Sequence, residues 1–524
     1  MLKQEIKKII EKAIGNKAIE FLVEVPADKE HGDYSSNVAL LLATRLRQGS
    51  GEAKKTPQDI AKEIKEDIEK QNSGLFSKVE IAGPGFINFF VSENYLRNQL
   101  QIILKEKSKY GNLKIGNNKK INVEFVSANP TGPLTLGNGR GGFGGDVLAN
   151  VLEKSGYKVS REYYVNDTGN QINKLGHSVL HDAEAVYKGE YVNELQKKVK
   201  GKNPQEVGEK ASKIILEKMI KPSVKKMGIK FDIWFSEKDL YKNKEVDKAI
   251  EELTKKGFTY ESEGAVWFKS KDLGDDKDRV LIRADGIKTY FASDIAYFKN
   301  KFNRKFDRLV IFLGADHYGY VPRVKAASSA LGFDKNDIDA IVMQLVRLFE
   351  KGKEVRMSKR TGIYVTIDEL IDEVGLDASR FFFLTVSPNT HLNFNLDLAK
   401  EKSQKNPVFK VQYAHARICS ILKKSKKSGI KNLQLLKESS ELELIKQLIR
   451  LPEITEDVSK DCQVQRLPKY ATNLSDSFHK FYEKCKVISD DKQLTSARLS
   501  LVLATKIVLQ NTLNLMGVSA PEKM

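Results

Sequence analysis

Only three cysteines occur in 524 residues, Cys419, Cys462 and Cys485, and they lie too far apart for a disulfide framework or for metal-ligand spacing. The seven histidines are equally scattered. These shortages argue for a reducing compartment and against structural zinc. A long apolar run is missing too, so no stretch is expected to span a bilayer. The opening MLKQEIKKIIEKAI mixes acidic and basic residues around Leu2, Ile6, Ile9, Ile10 and Ala13. It predicts an amphipathic helix, not a targeting segment. A cytoplasmic protein with no membrane partner is the expectation. Acidic charge is in deficit: 69 Asp and Glu against 88 Lys and Arg leave a net +19, which favours a polyanionic partner over lysine used merely for solubility.

A chain of this length holds several domains with cores of their own. Residues 1–112 mix helices with short strands such as FLVEVP and KVEIAGPGFINFFV, an α+β unit that ends at the polar run KSKYGNLKIGNNKK. From 113 to 401 strands and helices alternate as in a doubly wound parallel sheet, the α/β Rossmann-like class. Candidate strands are INVEFV, KVSREYYV, RLVIFLG and AIVMQLV. A lysine-rich helical stretch near 185–230 reads as an insertion, after which FDIWFSEKDLY rejoins the core. From 402 to 524 the apolar spacing is helical only, which predicts an all-α bundle.

Two segments carry chemistry. In the first, Ile121, Val123 and Phe125 alternate as in a half-buried strand with Glu124 facing the other way, and Asn129-Pro130-Thr131-Gly132-Pro133 stops it. The glycines at 137, 139, 141, 142, 144 and 145 then predict a loop that brings backbone close to a flat or anionic ligand, ahead of a helix over 146–154. The second segment, VRMSKRTG at 355–362, sets Arg356, Lys359 and Arg360 around Met357 and Ser358, a loop suited to gripping phosphates. A nucleotide cradle followed by a cationic loop is an arrangement for chemistry on ATP. A dinucleotide fingerprint also matches Gly139 to Gly144, with Glu162 at a suitable distance. It should follow the strand at once, whereas a Pro-rich turn and Thr135-Leu136-Gly137-Asn138 intervene.

The two segments resemble the His-Ile-Gly-His and Lys-Met-Ser-Lys-Ser signatures of class I aminoacyl-tRNA synthetases. EFVSANPTGP, REYYVNDTGNQ, TYFASDIAY, GADHYGYVPRVKAA, RMSKRTG, VQYAHARI and the ending GVSAPEKM are similar to arginyl-tRNA synthetases in particular, and stand in that family's order. The resemblance implies an arginine–tRNA ligase. ATP, accompanied by Mg2+, activates L-arginine to the adenylate, and tRNA(Arg) accepts arginine on the 2′-hydroxyl of its terminal ribose. It also implies a bundle that binds the anticodon and an N-terminal domain, with VEVPADKEHGDYSSN, that contacts the tRNA elbow. No protein-bound structural metal is expected, and the chain is expected to work as a monomer.

The departures bear on activity. Thr135-Leu136-Gly137-Asn138 stands where the family usually has His-Val-Gly-His, and Arg356 where it has its first Lys. Thr and Asn donate hydrogen bonds without carrying charge, while Arg keeps the cation and adds a planar fork. The lost histidines raise an alternative, a catalytically impaired tRNA-binding paralogue. Thr-x-Gly-Asn in some active tryptophanyl-tRNA synthetases weighs against it, as does the presence of Lys359, Asp294, Tyr290 and Asn129.

Carried over position by position, the resemblance gives catalysis on ATP to Thr135, Asn138, Arg356 and Lys359. It lines the ATP site with Pro130, Thr131, Gly132, Pro133, Leu136, Gly137, Gly139, Met357 and Ser358. His317 serves ATP or arginine. Glu124, Ser127, Ala128, Asn129 and Asn138 fall to arginine's backbone groups, and Tyr290 with Asp294 to its side chain. A guanidinium needs a planar carboxylate with paired acceptors, and Tyr290 precedes Asp294 by one helical turn if the segment is helical. Tyr413 and Tyr482 fall to tRNA, in blocks that face the anticodon. Asn166, Asp167 and Gln171 come near the site without an assigned role.

Overall fold

The strand expected to be half-buried has no wet face. The structure, a computed structural model, describes residues 1–15, 18–48, 55–71, 73–315, 319–355, 365–425 and 432–524. In it Ile121, Asn122, Val123 and Glu124 of Lys120–Glu124 (β1) are all buried, as in a parallel sheet covered on both sides. Lys158–Val165 (β2), Ile233–Ser236 (β3), Arg308–Gly314 (β4) and Ile338–Met343 (β5) complete the sheet in the order β5-β4-β1-β2-β3, every pair parallel. The chain builds outward from β1 in one direction and then in the other, so the order reverses between β1 and β4. Open α/β sheets bind ligands outside the strand ends at such a reversal.

The glycine-rich segment requires a correction. It is not a loop: a helix runs unbroken over Leu136–Lys154 (α1). A Cβ on Gly139 would lie 2.5 Å from Ile367 Cδ1, one on Gly142 2.5 Å from Met227 Cε, and one on Gly145 2.3 Å from Phe125 Cγ. These glycines let neighbouring elements close on the helix, at a propensity cost of about 1 kcal/mol each relative to alanine. Backbone periodicity could not reveal this, because the reason for each glycine lies elsewhere in the chain.

Beyond α1, inserted helices at Glu190–Lys198, Pro204–Ile215 and Lys221–Lys226 precede β3. Thr259–Ser262, Ala265–Phe268 and Arg279–Ile282 form an antiparallel sheet ahead of helix Tyr290–Asn303 (α2), and Val346–Glu350, Lys353–Val355 and Leu392–Asn395 form another. Neither small sheet follows from the sequence reading, and Val346, the last residue of AIVMQLV, belongs to the second one. Helix Ile367–Val374 (α3) follows, and then a helical bundle that includes Pro407–Lys424 (α4), Arg466–Lys484 (α5) and Lys492–Met516 (α6). By length and composition α6 could cross a membrane, which corrects the expectation that no stretch qualifies. Most of it is buried, so that apolar length is spent on the bundle's core.

One buried guanidinium joins the parts. Arg380 pairs with Asp146 of α1 and donates to Met516 O at the end of α6 (3.0 Å) and to Met227 O of the insertion (2.6 Å). Gly517 leaves room for it, since a Cβ there would overlap the guanidinium. At the other extreme, the N-terminal unit folds around the antiparallel strands Val23–Glu24, Tyr34–Ser36, Phe86–Val91 and Phe76–Ala82. It is sutured to the bundle: Lys3 N–H and the Tyr34 hydroxyl donate to Glu453, Lys3 Nζ pairs with Asp457 at 3.1 Å, and Lys446 pairs with Asp33 at 2.8 Å.

Candidate functional site

Beyond the carboxyl end of β1 the backbone is forced. Val126 and Ser127 hold φ of +67° and +37°, a region that side chains rarely adopt. The turn aims Ser127 Oγ at Glu124 Oε1 (3.1 Å), while the same oxygen accepts from Tyr164 N–H (3.1 Å). Glu124 is not the solvated edge of a cleft. It is 7% exposed, and its Oε2 takes Lys301 Nζ at 2.5 Å and the Tyr297 hydroxyl at 3.1 Å. Ala128 O accepts from the Tyr163 hydroxyl, and Asn129 is exposed.

Helix α2 brings Tyr290 and Asp294 to this place. Thr289 is its N-cap, so Asp294 sits a full turn inside the helix and is not a capping aspartate. Burial, then the neighbouring Glu237 carboxyl, pushes Asp294 up to about 8, against the hydrogen bond from Tyr320 and the more distant charge of Arg323. Glu237, at the carboxyl end of β3, is itself 1% exposed and pushed up to about 7 by burial, although Ser293 and Tyr164 donate to it. Among the described residues no lysine or arginine forms an ion pair with either carboxyl. Tyr290, 46% exposed, accepts Asn170 N–H on its hydroxyl at 2.9 Å.

Glu237 is what the sequence reading missed. Its signal was a lone acidic residue directly after a short apolar strand, IWFSE, in a segment credited only with rejoining the core. The block with Asn166 and Asp167 now gains a structural role. Asp167 accepts from Ser236 Oγ (2.6 Å) and Lys238 N–H (3.1 Å), which clips the turn that carries Glu237. Asn166, its amide nitrogen turned inward, reaches Glu237 Oε2 at 3.0 Å. Gln171 accepts the Tyr187 hydroxyl.

The ATP candidates gather at the start of α1. Thr135 and Asn138 cap the helix reciprocally: Thr135 N–H and Oγ1–H each donate to Asn138 Oδ1 at 2.9 Å, and Asn138 N–H returns to Thr135 Oγ1 at 3.4 Å. The threonine proton is therefore committed, and the amide orientation is fixed with its NH2 outward. Gly137 is exposed on the same turn, whereas Leu136 and Gly139 are buried and could offer a ligand only backbone. Pro130 is buried too; Thr131 O accepts the Tyr191 hydroxyl at 3.0 Å and Gly132 packs on the same ring, so an inserted helix covers the turn that continues to Pro133.

A second capped helix starts beside the first. Thr366 and Glu369 cap α3 as Thr135 and Asn138 cap α1, Thr366 bridges Thr135, and Ile367 N–H donates to Leu134 O at 3.0 Å. Two positive helix ends thus share one place, which suits an anion. Arg356, Met357, Ser358 and Lys359 lie outside the described residues, as does His317. The chain re-enters the described structure at Val365, one residue from this junction.

On the bundle, Tyr413 of α4 and Tyr482 of α5 converge on Arg417. Its Nη1 donates to the Tyr413 hydroxyl at 3.0 Å and its guanidinium lies 4.6 Å from the Tyr482 ring centre. Tyr413 also stacks with Phe409 and His479. All these side chains are partly exposed, so the patch is aromatic, cationic and reachable.

Family models match three successive parts of the chain. "Arginyl tRNA synthetase N terminal domain" matches residues 1–91, "tRNA synthetases class I (R), catalytic domain" matches 99–184 and 178–383, and "DALR anticodon binding domain" matches 411–524. The arginine–tRNA ligase of Caldanaerobacter subterraneus subsp. tengcongensis is 45% identical over 100% of this chain and 99% of its own length. That of Bacillus subtilis is 44% identical over 100% and 98%. Among solved structures, a putative arginyl-tRNA synthetase from Campylobacter jejuni is 33% identical, with TM-score 0.75 over 83% of this chain and 100% of that one. The Thermus thermophilus arginyl-tRNA synthetase, 21% identical, shares the fold over 100% of both chains at TM-score 0.82.

Proposed function

The chain belongs to the arginyl-tRNA synthetases of class I, and from that premise we propose how its own residues carry out arginine–tRNA ligation. The enzyme activates L-arginine with ATP and transfers it to tRNA(Arg). Matches this close over the whole chain are to arginine–tRNA ligases, and the impaired-paralogue alternative is dropped. In the first step an arginine carboxylate oxygen attacks the α-phosphorus of ATP and pyrophosphate leaves. In the second, the terminal ribose 2′-hydroxyl takes the arginyl group and AMP departs. The first nucleophile is already an anion, so alignment and charge stabilisation are what the protein must supply.

The observation that carries this reading is a pair of neighbouring carboxyls beyond the sheet, Asp294 and Glu237, both raised above the usual carboxylate range and with no paired cation among the described residues. A guanidinium entering there supplies the missing charge to two planar acceptors. Glu124, Ser127, Ala128 and Asn129, at the end of β1, would receive the amino-acid end, and Tyr290 would close the mouth.

At the ATP end we assign donation to the Asn138 amide and the first backbone N–H groups of α1, with Thr135 acting through Asn138. Exposed Gly137 leaves room for adenine. Arg356 and Lys359 would close over the departing phosphates, His317 would contact ATP or arginine, and Met357 and Ser358 would line the same side. Among the described residues no group of three His, Cys, Asp or Glu could hold a metal, so magnesium would come with the triphosphate and supply charge neutralisation there. Tyr413, Tyr482 and Arg417 support stacking of unpaired anticodon bases, and the N-terminal unit would reach the tRNA elbow. We further take domain boundaries at 112/113 and 401/402, a monomer, and the cytoplasm as compartment; limited proteolysis, sedimentation and fractionation test these. Arginine-dependent ATP–pyrophosphate exchange, run with and without tRNA(Arg), tests the function. Exchange and arginyl-tRNA formation are expected, and neither under either condition would overturn it.

A further inference from the structure

Helix α2 carries Tyr290, Asp294, Tyr297 and Lys301 at helical spacing along one face. Its first turns carry Asp294, one of the two carboxyls just described. Two turns below Asp294, Lys301 is fully buried, with Nζ 2.5 Å from Glu124 Oε2 and 3.8 Å from Glu162 Oε1. The Tyr297 hydroxyl touches the same two carboxylates at 3.1 and 2.5 Å. Arg304, at the helix end, forks onto Glu162 at 2.5 and 3.0 Å, and Asn122 Nδ2 donates to Glu162 at 3.0 Å. Two carboxylates and two cations are thus enclosed between α2 and the central strands β1 and β2.

Neither chemical step uses Lys301, Glu162 or Arg304. Apolar side chains of similar volume would join helix to sheet without the desolvation that buried ions incur. Apolar contacts, however, tolerate sliding, whereas a fork and a short ammonium–carboxylate contact fix position along the helix axis. The network also fixes Glu124, whose Oε2 is committed to Lys301 and Tyr297 and whose Oε1 accepts from Ser127. Glu124 stands on the strand and Asp294 on the helix, and Lys301 and Tyr297 tie those elements directly, Lys301 by charge.

Resting on the arginine reading above, we propose that Lys301 is a positioning residue that sets substrate length. It holds Asp294 at one offset from Glu124, so that only an amino acid with arginine's spacing between ammonium and guanidinium engages both ends. The side-chain pocket thereby becomes a ruler, zeroed at Lys301.

The test uses the full chain with tRNA(Arg) and three substrates: arginine, homoarginine (one methylene longer) and 2-amino-4-guanidinobutyrate (one shorter). A one-methylene misfit in a fitted pocket discriminates by roughly 10- to 200-fold, and the wild type is expected in that range. Lys301→Met should raise the arginine KM by about 100-fold, the effect of a displacement near 1 Å, while kcat and the ATP KM change little. The preference for arginine over both homologues should fall to within about threefold. Tyr297→Phe removes one hydroxyl from the network and keeps the ring; it should move KM and preference the same way by about tenfold, and it decides the matter if Lys301→Met does not fold. Folded variants whose preference is unmoved, or which lose all three substrates and ATP equally, would overturn the proposal. A wild type inactive on arginine would instead strike the functional reading itself.

Discussion

The two ends proposed for arginine and for ATP lie at neighbouring strand and helix termini, yet they are made of opposite materials. That for arginine is built from a buried carboxyl, Glu237, a half-buried one, Asp294, and the half-buried tyrosines Tyr320 and Tyr164. The ATP end is built from helix starts, a neutral amide, an exposed glycine at 137 and a closely packed one at 139. In the proposed reading, one end offers a cation two carboxyls that ionise as it binds. The other, in the same reading, meets a polyanion with oriented N–H groups. The difference is one of solvation: a weakly hydrated guanidinium can be taken into a buried site, while a triphosphate keeps its water and metal and is met at helix ends.

Substitution at the arginine end should separate the two most sharply. Asp294→Ala is expected to lower kcat/KM for arginine by about 1000-fold, as removal of one partner of a buried charge pair does, with the ATP KM unmoved in steady-state exchange assays. A shift in ATP affinity as large as that in arginine would erase the distinction. Lys359→Ala should act the other way round. Loss of one transition-state donor slows adenylate formation by about 100-fold in pre-steady-state quench measurements, while equilibrium arginine binding stays as it was.

The pH response sharpens the contrast further. Asp294 and Glu237 hold protons in the folded chain up to about 8 and about 7, while the unfolded chain releases them near pH 4. The folded state therefore binds more protons across that window, and stability falls as pH rises through it. Arginine, which needs the ionised carboxylates, should restore that loss. Its dissociation constant should improve by about fiftyfold from pH 6 to pH 7 by calorimetry, with proton release and a growing thermal shift. Adenosine, an uncharged probe of the other end, should show no such window. The smallest effect is expected from Gly139→Ala, where the new methyl meets Ile367. Overpacking there should cost about 1–3 kcal/mol in denaturant unfolding and loosen ATP several-fold, leaving arginine specificity intact.

What the sequence disclosed follows the same division. Local chemistry was legible: the β1 strand, the Pro-rich stop after it, the Tyr290–Asp294 spacing, the inserted helices and the helical C-terminal third. Contacts between distant segments were not. The glycines of α1 signalled a loop by composition, since nothing in residues 137–145 names Ile367, Met227 or Phe125 as the neighbours that require them. Glu124 suggested an open cleft because its counterion is 177 residues away. Glu237 gave no signal beyond its place after a strand, and α6 hid its apolar length among interspersed polar residues. Tyr413 and Tyr482 were each ambiguous alone; it took Arg417 between them to make a surface.

The suture between the chain's beginning and its bundle sets an order of assembly. Lys3 finds Glu453 across 450 positions, and the Tyr34 hydroxyl finds the same carboxylate across 419. At roughly 5–20 residues per second of synthesis, the first-made unit waits on the order of 20–90 seconds before its counterpart leaves the ribosome. Through that interval it must stay folded on its own strands and helices with this edge unclaimed. The helices that emerge late then complete the contacts, and a chain cut short before residue 453 would leave Lys3 and Tyr34 without the carboxylate they share.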